Sequence, residues 1–290
     1  MNNYFYAEDD AEIYDDTAEL TQPEYLAIHR VAAQLLHRGF AAWPHESAGT
    51  QSVPPNHGNG PLVFDIGCGT GMEALALLRL SPQATIIAFD KSEHMLSILS
   101  RKIHEAGGIE EGRLKRVVGD ILDPRWTGEA LRNLAPYARP FDAVISGFLI
   151  HHFSSKQRAD LYRRVFESLS VGGVFVNIDL FDFQSPTLSQ YAEEVGEDWV
   201  SQQLSCNADP AYQPVIQRLS AQVGTLRTKW LQHLREENVP APIEPTEASV
   251  APAAQGNAIR SNSQMLIDVG FIEVGCPYRF WQAGVLWAKR

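Results

Sequence analysis

A short glycine-rich turn carries the strongest chemical signal in the sequence. Gly67, Gly69 and Gly71 follow the apolar run 62–66 and precede a helical pattern. Glycine lets the backbone turn sharply and approach a ligand where a Cβ atom would clash, and a helix N-terminus beyond the turn offers free N–H groups. A dinucleotide fingerprint would need a small residue where Met72 stands. The spacing therefore favours an aminoacyl nucleoside over a pyrophosphate and makes an NAD-dependent dehydrogenase a distant alternative.

Three acidic residues stand at the ends of apolar runs. Asp65 lies at the end of the first run, where a carboxylate can help to fix a cationic ammonium group. Asp90 ends the second run, where a carboxylate can accept from both ribose hydroxyls. Asp120 follows the third run, placed to accept from the exocyclic amine of adenine while Ile121 packs on the ring. Taken alone, Asp90 and Asp120 are also typical of helix N-caps and turns.

Two adjacent histidines, His151 and His152, follow the fourth apolar run, at the end where ligands bind in open α/β sheets. Histidine is the side chain whose charge changes near neutral pH. Either residue is therefore a candidate general base if the substrate must lose a proton. The alternative for each is a histidine with a purely structural hydrogen bond.

A β-rich framework must position these residues. Short runs rich in Val, Ile and Phe alternate with helical patterns, which predicts a parallel, doubly wound sheet with helices on both faces. The predicted strands are 62–66, 85–89, 114–118, 141–146 and 174–180. The predicted helices are 71–80, 92–106, 129–135, 155–169 and 261–269. Two final runs, 271–281 and 283–288, predict an antiparallel hairpin at a sheet edge.

The segment before the first predicted strand has a different sequence pattern, which predicts a helix and a linker. Thr21 to Glu24 reads as a capping box, with Pro23 in the first turn of a helix that ends at Gly39. A linker rich in Pro and Gly follows at 44–61.

A second segment interrupts the alternation after residue 180. Apolar residues from Val215 to Leu234 mark a long amphipathic helix, and a Pro/Ala-rich stretch follows at 239–257. The predicted organisation is an acidic segment, helix and linker at 1–60 that form part of a lid, a ligand-binding core at 61–180 and 261–290, and a helical lid insertion at 181–260.

The charge is concentrated at one end of the chain. The net charge is −11, and eight acids lie among the first 30 residues with no Lys or Arg before Arg30. An acidic balance argues against a polyanion such as DNA as partner. The acidic segment is interpreted either as a solvated, partly disordered tip, which we favour, or as a negative collar that attracts a cationic substrate.

The rest of the composition is that of an ordinary globular protein. The three cysteines are far apart, which predicts reduced thiols, and Cys68 inside the glycine turn is expected to be a small apolar filler. The sequence contains neither a run of 18 apolar residues nor a leader-like start. We therefore expect a cytoplasmic protein without membrane contact.

The combination of motifs resembles a class I S-adenosylmethionine-dependent methyltransferase over residues 61–180 and 261–290. It is similar in particular to small bacterial methyltransferases that share the Ile-His-His sequence at 150–152, a lid segment with Val-Pro-Ala-Pro at 239–242, and an aromatic-rich final hairpin. That resemblance implies a Rossmann-like sheet of seven strands whose last strand is antiparallel, with a helical lid. The stretch 239–260 departs from it by being longer than usual.

The resemblance also implies a cofactor, S-adenosylmethionine (SAM), with S-adenosylhomocysteine (SAH) as product. The glycine turn would line it, Ser146 would lie near its methionine end, and Tyr14 would fold back as part of the lid. The predicted cofactor-binding residues are Asp65, Gly67, Cys68, Gly69, Gly71, Asp90, Lys91, Asp120, Ile121, Ser146 and Tyr14, with His151 and His152 as catalytic candidates and no metal ligand.

The function expected from this site is methyl transfer to an oxygen, nitrogen or carbon atom of a small molecule. The Asn-Pro-Pro-aromatic segment typical of amino-group methylation on nucleic acid is replaced by Ser-Gly-Phe-Leu at 146–149, so we expect no nucleic-acid partner. A monomer or a homodimer is expected. The alternatives are modification of the cofactor itself, as in carboxy-SAM synthase, cofactor-assisted cyclisation, and a non-catalytic SAM-binding module.

Overall fold

The computed structural model describes most of the predicted core. The residues described are 11–41, 60–107, 109, 112–126, 140–183, 185–206, 210–213, 215–217 and 257–290. Several predictions lie outside them: the linker up to residue 59, the helix at 129–135, the amphipathic helix from residue 218 onward and the Pro/Ala-rich stretch up to residue 256. Within the described part, no helix combines the length and the apolar character needed to cross a membrane.

A seven-stranded sheet forms the centre of the molecule. Its strands are β1 (Leu62–Ile66), β2 (Thr85–Asp90), β3 (Leu114–Val118), β4 (Phe141–Gly147), β5 (Leu169–Leu180), β6 (Glu273–Phe280) and β7 (Ala283–Lys289). The spatial order is β3-β2-β1-β4-β5-β7-β6. The strands β1 to β5 pair in parallel, and β7 runs antiparallel to both of its neighbours. The predicted Rossmann-like sheet with an antiparallel last strand is confirmed.

Helices cover both faces of the sheet. They are α1 (Tyr14–Thr21), α2 (Tyr25–Ala41), α3 (Met72–Leu80), α4 (Glu93–Ala106), α5 (Ser155–Ser168), α6 (Pro186–Cys206) and α7 (Ile259–Val269). Every residue of β1 and β2 is buried, as expected for parallel strands covered on two faces. Ser154 and Gln157 form a capping box at the start of α5, which satisfies two helix N–H groups.

The start of the chain folds differently from the prediction. The capping box at Thr21 to Glu24 is wrong, because Thr21 is the last residue of α1 and its hydroxyl donates to the carbonyl of Thr17. Glu24 has a φ of 62° in the turn between the helices. The helix α2 begins at Tyr25 and continues two residues beyond Gly39. Instead of the predicted cap, this segment forms α1, an additional helix that packs against the rest of the molecule.

The N-terminal helix α1 packs against the segment that follows the core. Leu20 from α1 forms a buried cluster with Val215 and Ile216, and Leu204 at the end of α6 packs at its edge. The two segments predicted as parts of a lid are therefore in contact with each other. This contact joins α1 to the segment that follows β5 in the chain.

Candidate active site

The glycine turn closes tightly between β1 and α3. The N–H groups of Gly67 and Cys68 both donate to the carbonyl of Phe89, at 2.8 and 3.1 Å. Gly67 has a φ of 65°, and a Cβ atom there would lie 2.5 Å from the side chain of Leu149. Gly71 forms the N-cap of α3. The turn thus needs glycine for its conformation and for its close approach to the loop after β4.

Asp90 fixes the turn to the end of β2. Its carboxylate accepts from the N–H of Gly69 at 2.9 Å and from the N–H of Ser92 at 2.8 Å. Burial raises the pKa of Asp90 although these N–H groups and Lys91 oppose the shift. Lys91 is exposed. The structure therefore gives Asp90 a positioning role at the predicted site, and its contact with ribose remains a prediction.

Asp65 is a fully buried acid at the floor of this region. Neither of its carboxylate oxygens, nor the buried hydroxyl of Ser146, has a hydrogen-bond partner among the described residues. Burial, followed by repulsion from Glu73 and Asp90, raises the pKa of Asp65 well above the usual carboxyl range. An unpartnered buried acid has a cost unless a ligand supplies a donor or a cation. Both residues lie where the prediction placed them.

The residues predicted around adenine have other contacts. One carboxylate oxygen of Asp120 accepts from the N–H of Leu122 at 2.9 Å, which makes Asp120 a turn-former, and the residue is exposed. Ile121 is buried in the main core together with Phe89 and Trp126. The adenine contacts of both residues remain predictions.

Tyr14 and Cys68 have apolar surroundings in the structure. Tyr14 packs with Ala11 from the N-terminal segment against Met95 and Ile98 of α4. Cys68 is buried, and burial raises the pKa of its thiol well above the usual range. The thiol is therefore neutral, in agreement with an apolar filler.

His151 has the geometry of an oriented base. Its Nδ1 atom lies 2.5 Å from a carboxylate oxygen of Asp179, and Asp179 is fully buried at the end of β5. The N–H of Leu180 donates to the same oxygen at 2.9 Å. A carboxylate on Nδ1 selects the tautomer in which Nε2 accepts a proton. The ring of His152 lies 4.0 Å from the ring of His151.

The sequence prediction missed a second group of site residues, contributed mainly by α2. His29 lies 2.9 Å from the Glu73 carboxylate, and both side chains are about 95% buried. The rings of Tyr25 and Phe148 stack at a centroid distance of 5.6 Å and enclose His29. Phe148 has a φ of 50°, a strained backbone typical of functional loops. The one signal for this group in the sequence was His29, a histidine within the apolar face of a helix.

The acidic N-terminal segment contacts the same region. Asp15 accepts a hydrogen bond of 2.5 Å from the hydroxyl of Thr70 in the glycine turn and forms an ion pair with Lys102 on α4. Glu12 forms an ion pair with Arg101 on the same helix. Two acids of residues 11 to 21, Glu12 and Asp15, therefore pair with bases, and the interpretation as a solvated tip is wrong for these two residues. We call the contacts of Asp15 with Thr70 and Lys102 the N-terminal clasp.

The described residues fit the methionine end of SAM. Asp65 offers unpartnered oxygens for an ammonium group, and Ser146 offers an unpartnered hydroxyl. A Cβ atom on Gly147 would collide with the carboxylate of Glu73. Glycine at this position therefore lets the backbone approach that carboxylate closely.

Comparison with known proteins relates part of the chain to methyltransferases. A family model described as a methyltransferase domain matches residues 63–173. A carboxy-S-adenosyl-L-methionine synthase from Campylobacter concisus (strain 13826) is 26% identical over 137 residues, which are 47% of this chain and 52% of the relative. A second synthase, from Campylobacter curvus (strain 525.92), is 21% identical over 66% of this chain and 68% of its own length. The chain thus matches about half of the first relative's length.

A solved structure shares the fold. Magnesium protoporphyrin IX methyltransferase from Synechocystis PCC 6803, crystallised with bound SAH, superposes with a TM-score of 0.53 at 14% identity, covering 99% of this chain and 97% of that chain. The predicted fold is confirmed by this superposition, and the match of residues 63–173 to the model of a methyltransferase domain agrees with the predicted enzyme class and cofactor.

Proposed function

We propose that this chain transfers the methyl group of SAM to a small-molecule acceptor, with His151 as the base that removes the acceptor's proton. The carrying observation is the 2.5 Å contact between His151, which follows β4, and the buried Asp179 near the end of β5. When bound, SAM supplies a methyl group that its sulfonium has already made electrophilic. The work left to the protein is to align the acceptor, to exclude water and to accept a proton.

Each group of the site has a distinct task in this proposal. Asp65 and Ser146 hold the ammonium end of the cofactor, and Asp90 holds the glycine turn and accepts from the ribose hydroxyls. Asp179 keeps the Nδ1 atom of His151 protonated, so that Nε2 accepts the acceptor's proton and is left cationic beside a carboxylate. His152 packs against His151 and limits the motion of its ring.

The helices α1 and α6 are proposed to form a lid over the site. The N-terminal clasp ties α1 to the glycine turn, and the cluster around Leu20 ties it to the segment after α6. A lid of this kind excludes water from the reaction. The acidic overall charge supports an acceptor other than a nucleic acid. The enzyme is proposed to be cytoplasmic and to act as a monomer or homodimer.

Calorimetry with SAM and SAH tests whether the cofactor binds, and a methyl-transfer assay tests whether the reaction takes place. We expect both nucleosides to bind, and we expect incubation with SAM and fractionated small-molecule extracts to produce SAH together with a methylated product. Absence of binding with either nucleoside would overturn the proposal. Extracts that yield methylated nucleic acid or protein instead of a small molecule would overturn its acceptor class.

A second candidate function is modification of the cofactor itself. The similarity to proteins named carboxy-S-adenosyl-L-methionine synthase favours it. A carboxylate on the methyl carbon would require a cationic anchor, and Lys102 in the described part of the site is already paired with Asp15. Arg260 at the start of α7 is exposed. Mass spectrometry of the nucleoside that copurifies with the protein decides: a mass increased by a carboxyl group would replace methyl transfer by this reaction.

A further inference from the structure

The buried pair formed by His29 and Glu73 lies beside the acid that is proposed to hold the ammonium group. Glu73 is in the first turn of α3, and its carboxylate lies against Gly147 at the end of β4. The side chains of His29 and Glu73 are 4% and 5% exposed. Glu73 also repels Asp65 strongly enough to raise the pKa of that carboxyl further. Glu73 and Asp65 therefore belong to one electrostatic cluster.

The cluster contains more acid than base. Asp65 is faced by Glu73 on α3, by Asp90 on β2 and by the neutral Cys68 thiol of the glycine turn. Burial opposes the charged form of Glu73, but its contacts with His29, helped by Lys102, keep the pKa of Glu73 below its usual value. The contact with His29 thus favours the ionised form of Glu73. The second buried carboxyl, Asp65, has no hydrogen-bond partner among the described residues, and its raised pKa favours the protonated form.

We infer that Glu73, backed by His29, is a second carboxylate of the ammonium subsite, and that a ligand ammonium entering this subsite displaces the proton held by Asp65. This inference rests on the proposed function. Two carboxylates then face the ligand ammonium, and His29 stays in contact with Glu73. The proton leaves the carboxyl oxygen of Asp65 for the solvent, and no covalent bond of the ligand changes.

The linkage has a sign that can be measured. A group that is protonated in the free protein and ionised in the complex makes binding tighter as pH rises, by at most about tenfold per pH unit. The effect requires the ligand ammonium. SAH carries an ammonium group and 5′-methylthioadenosine does not, although both share the adenosine moiety.

Calorimetric titration in buffers of different ionisation enthalpy measures the protons released on binding. We expect SAH to release up to one proton and 5′-methylthioadenosine to release none. Glu73→Gln removes the charge that raises the pKa of Asp65, so we expect the proton release to occur at lower pH in this variant. The matched control is Glu93→Gln at the exposed start of α4, which should behave like the wild type.

The outcomes separate this inference from the proposed function. Equal proton release with both nucleosides, or a Glu73→Gln variant that matches Glu93→Gln, would overturn the ammonium subsite while leaving SAM binding intact. Failure of SAH to bind at all would overturn the proposed function itself. Binding of 5′-methylthioadenosine and a thermal melt of each variant show that the fold is intact, and Asp65→Asn, which carries no titrating carboxyl, should abolish the release.

Discussion

Two histidine–carboxylate pairs lie near the carboxyl ends of the parallel strands, and their surroundings differ. His151 is 12% exposed, and its partner Asp179 is held by additional hydrogen bonds from Leu180 and Asn177. His29 is 4% exposed between aromatic rings, and its 2.9 Å contact with Glu73 is an ion pair without hydrogen-bond alignment. A pair formed by an imidazole and a carboxylate thus occurs once in a hydrogen-bonded polar network and once among aromatic rings.

The difference suggests two separate uses of an imidazole. A partly exposed ring that is oriented by a hydrogen-bonded carboxylate can exchange a proton with a substrate. A ring sealed among apolar groups cannot reach solvent, and its charge serves to offset a buried acid. We therefore assign proton transfer to His151 and charge balance to His29. The following experiments test that division.

The largest effect is expected at the oriented pair. His151→Gln keeps a polar side chain but removes the base, so we expect kcat to fall by about 10²–10⁴-fold with an unchanged dissociation constant for SAH. Steady-state SAH production, together with calorimetry, measures both. The control is His104→Gln on the exposed face of α4. Full activity of His151→Gln would remove the distinction between the two pairs.

The enclosed pair is expected to control stability. His29→Leu leaves Glu73 buried without its cation, which costs about 3–5 kcal/mol of the free energy of unfolding. Because replacing a whole buried ion pair by apolar residues is close to neutral, the double variant His29→Leu, Glu73→Leu should recover most of that loss. Urea denaturation measures both variants. Equal destabilisation in the single and double variants would show that the charge balance is not the cause.

Asp65 is expected to give the free protein a pH-dependent stability. Its pKa is raised in the folded state, so above the ordinary carboxyl pKa the folded protein binds more protons than the unfolded chain. Its contribution therefore falls as pH rises, by at most about 1.4 kcal/mol per pH unit. Asp65→Asn should remove this slope in urea melts taken between pH 5 and pH 8, and an unchanged slope would contradict the shift.

The smallest effect is expected at the N-terminal clasp. Asp15→Asn removes a charged hydrogen bond and a partly exposed ion pair, which together contribute about 1–2 kcal/mol. We expect weaker SAH binding that is less sensitive to salt, measured by calorimetry at two ionic strengths. Glu12→Gln is the control, because its partner Arg101 is half exposed and salt screens such pairs. If both variants behave alike, the clasp does not hold the turn.

The regular part of the fold was predictable because its signals are local. Strands β1 and β3 begin and end at the predicted residues. Every residue of β1 is buried, as its mostly apolar run predicts for a parallel strand covered on two faces. The region of residues 11 to 25 was not predictable in this way. Its helix α1 is fixed by contacts with Met95, Lys102 and Val215, which are far away in the sequence.

The sequence by itself determined the order of the strands along the chain, the glycine turn, the acids at the strand ends and the two histidines after β4. These features depend on residue type and spacing over a few positions. Only the tertiary structure decided that Asp179 orients His151, that Glu73 and His29 form a sealed pair, and that Asp15 pairs with Lys102. Each of these contacts joins residues that lie 28 to 87 positions apart, and the energies of such contacts depend on burial, which no local pattern encodes.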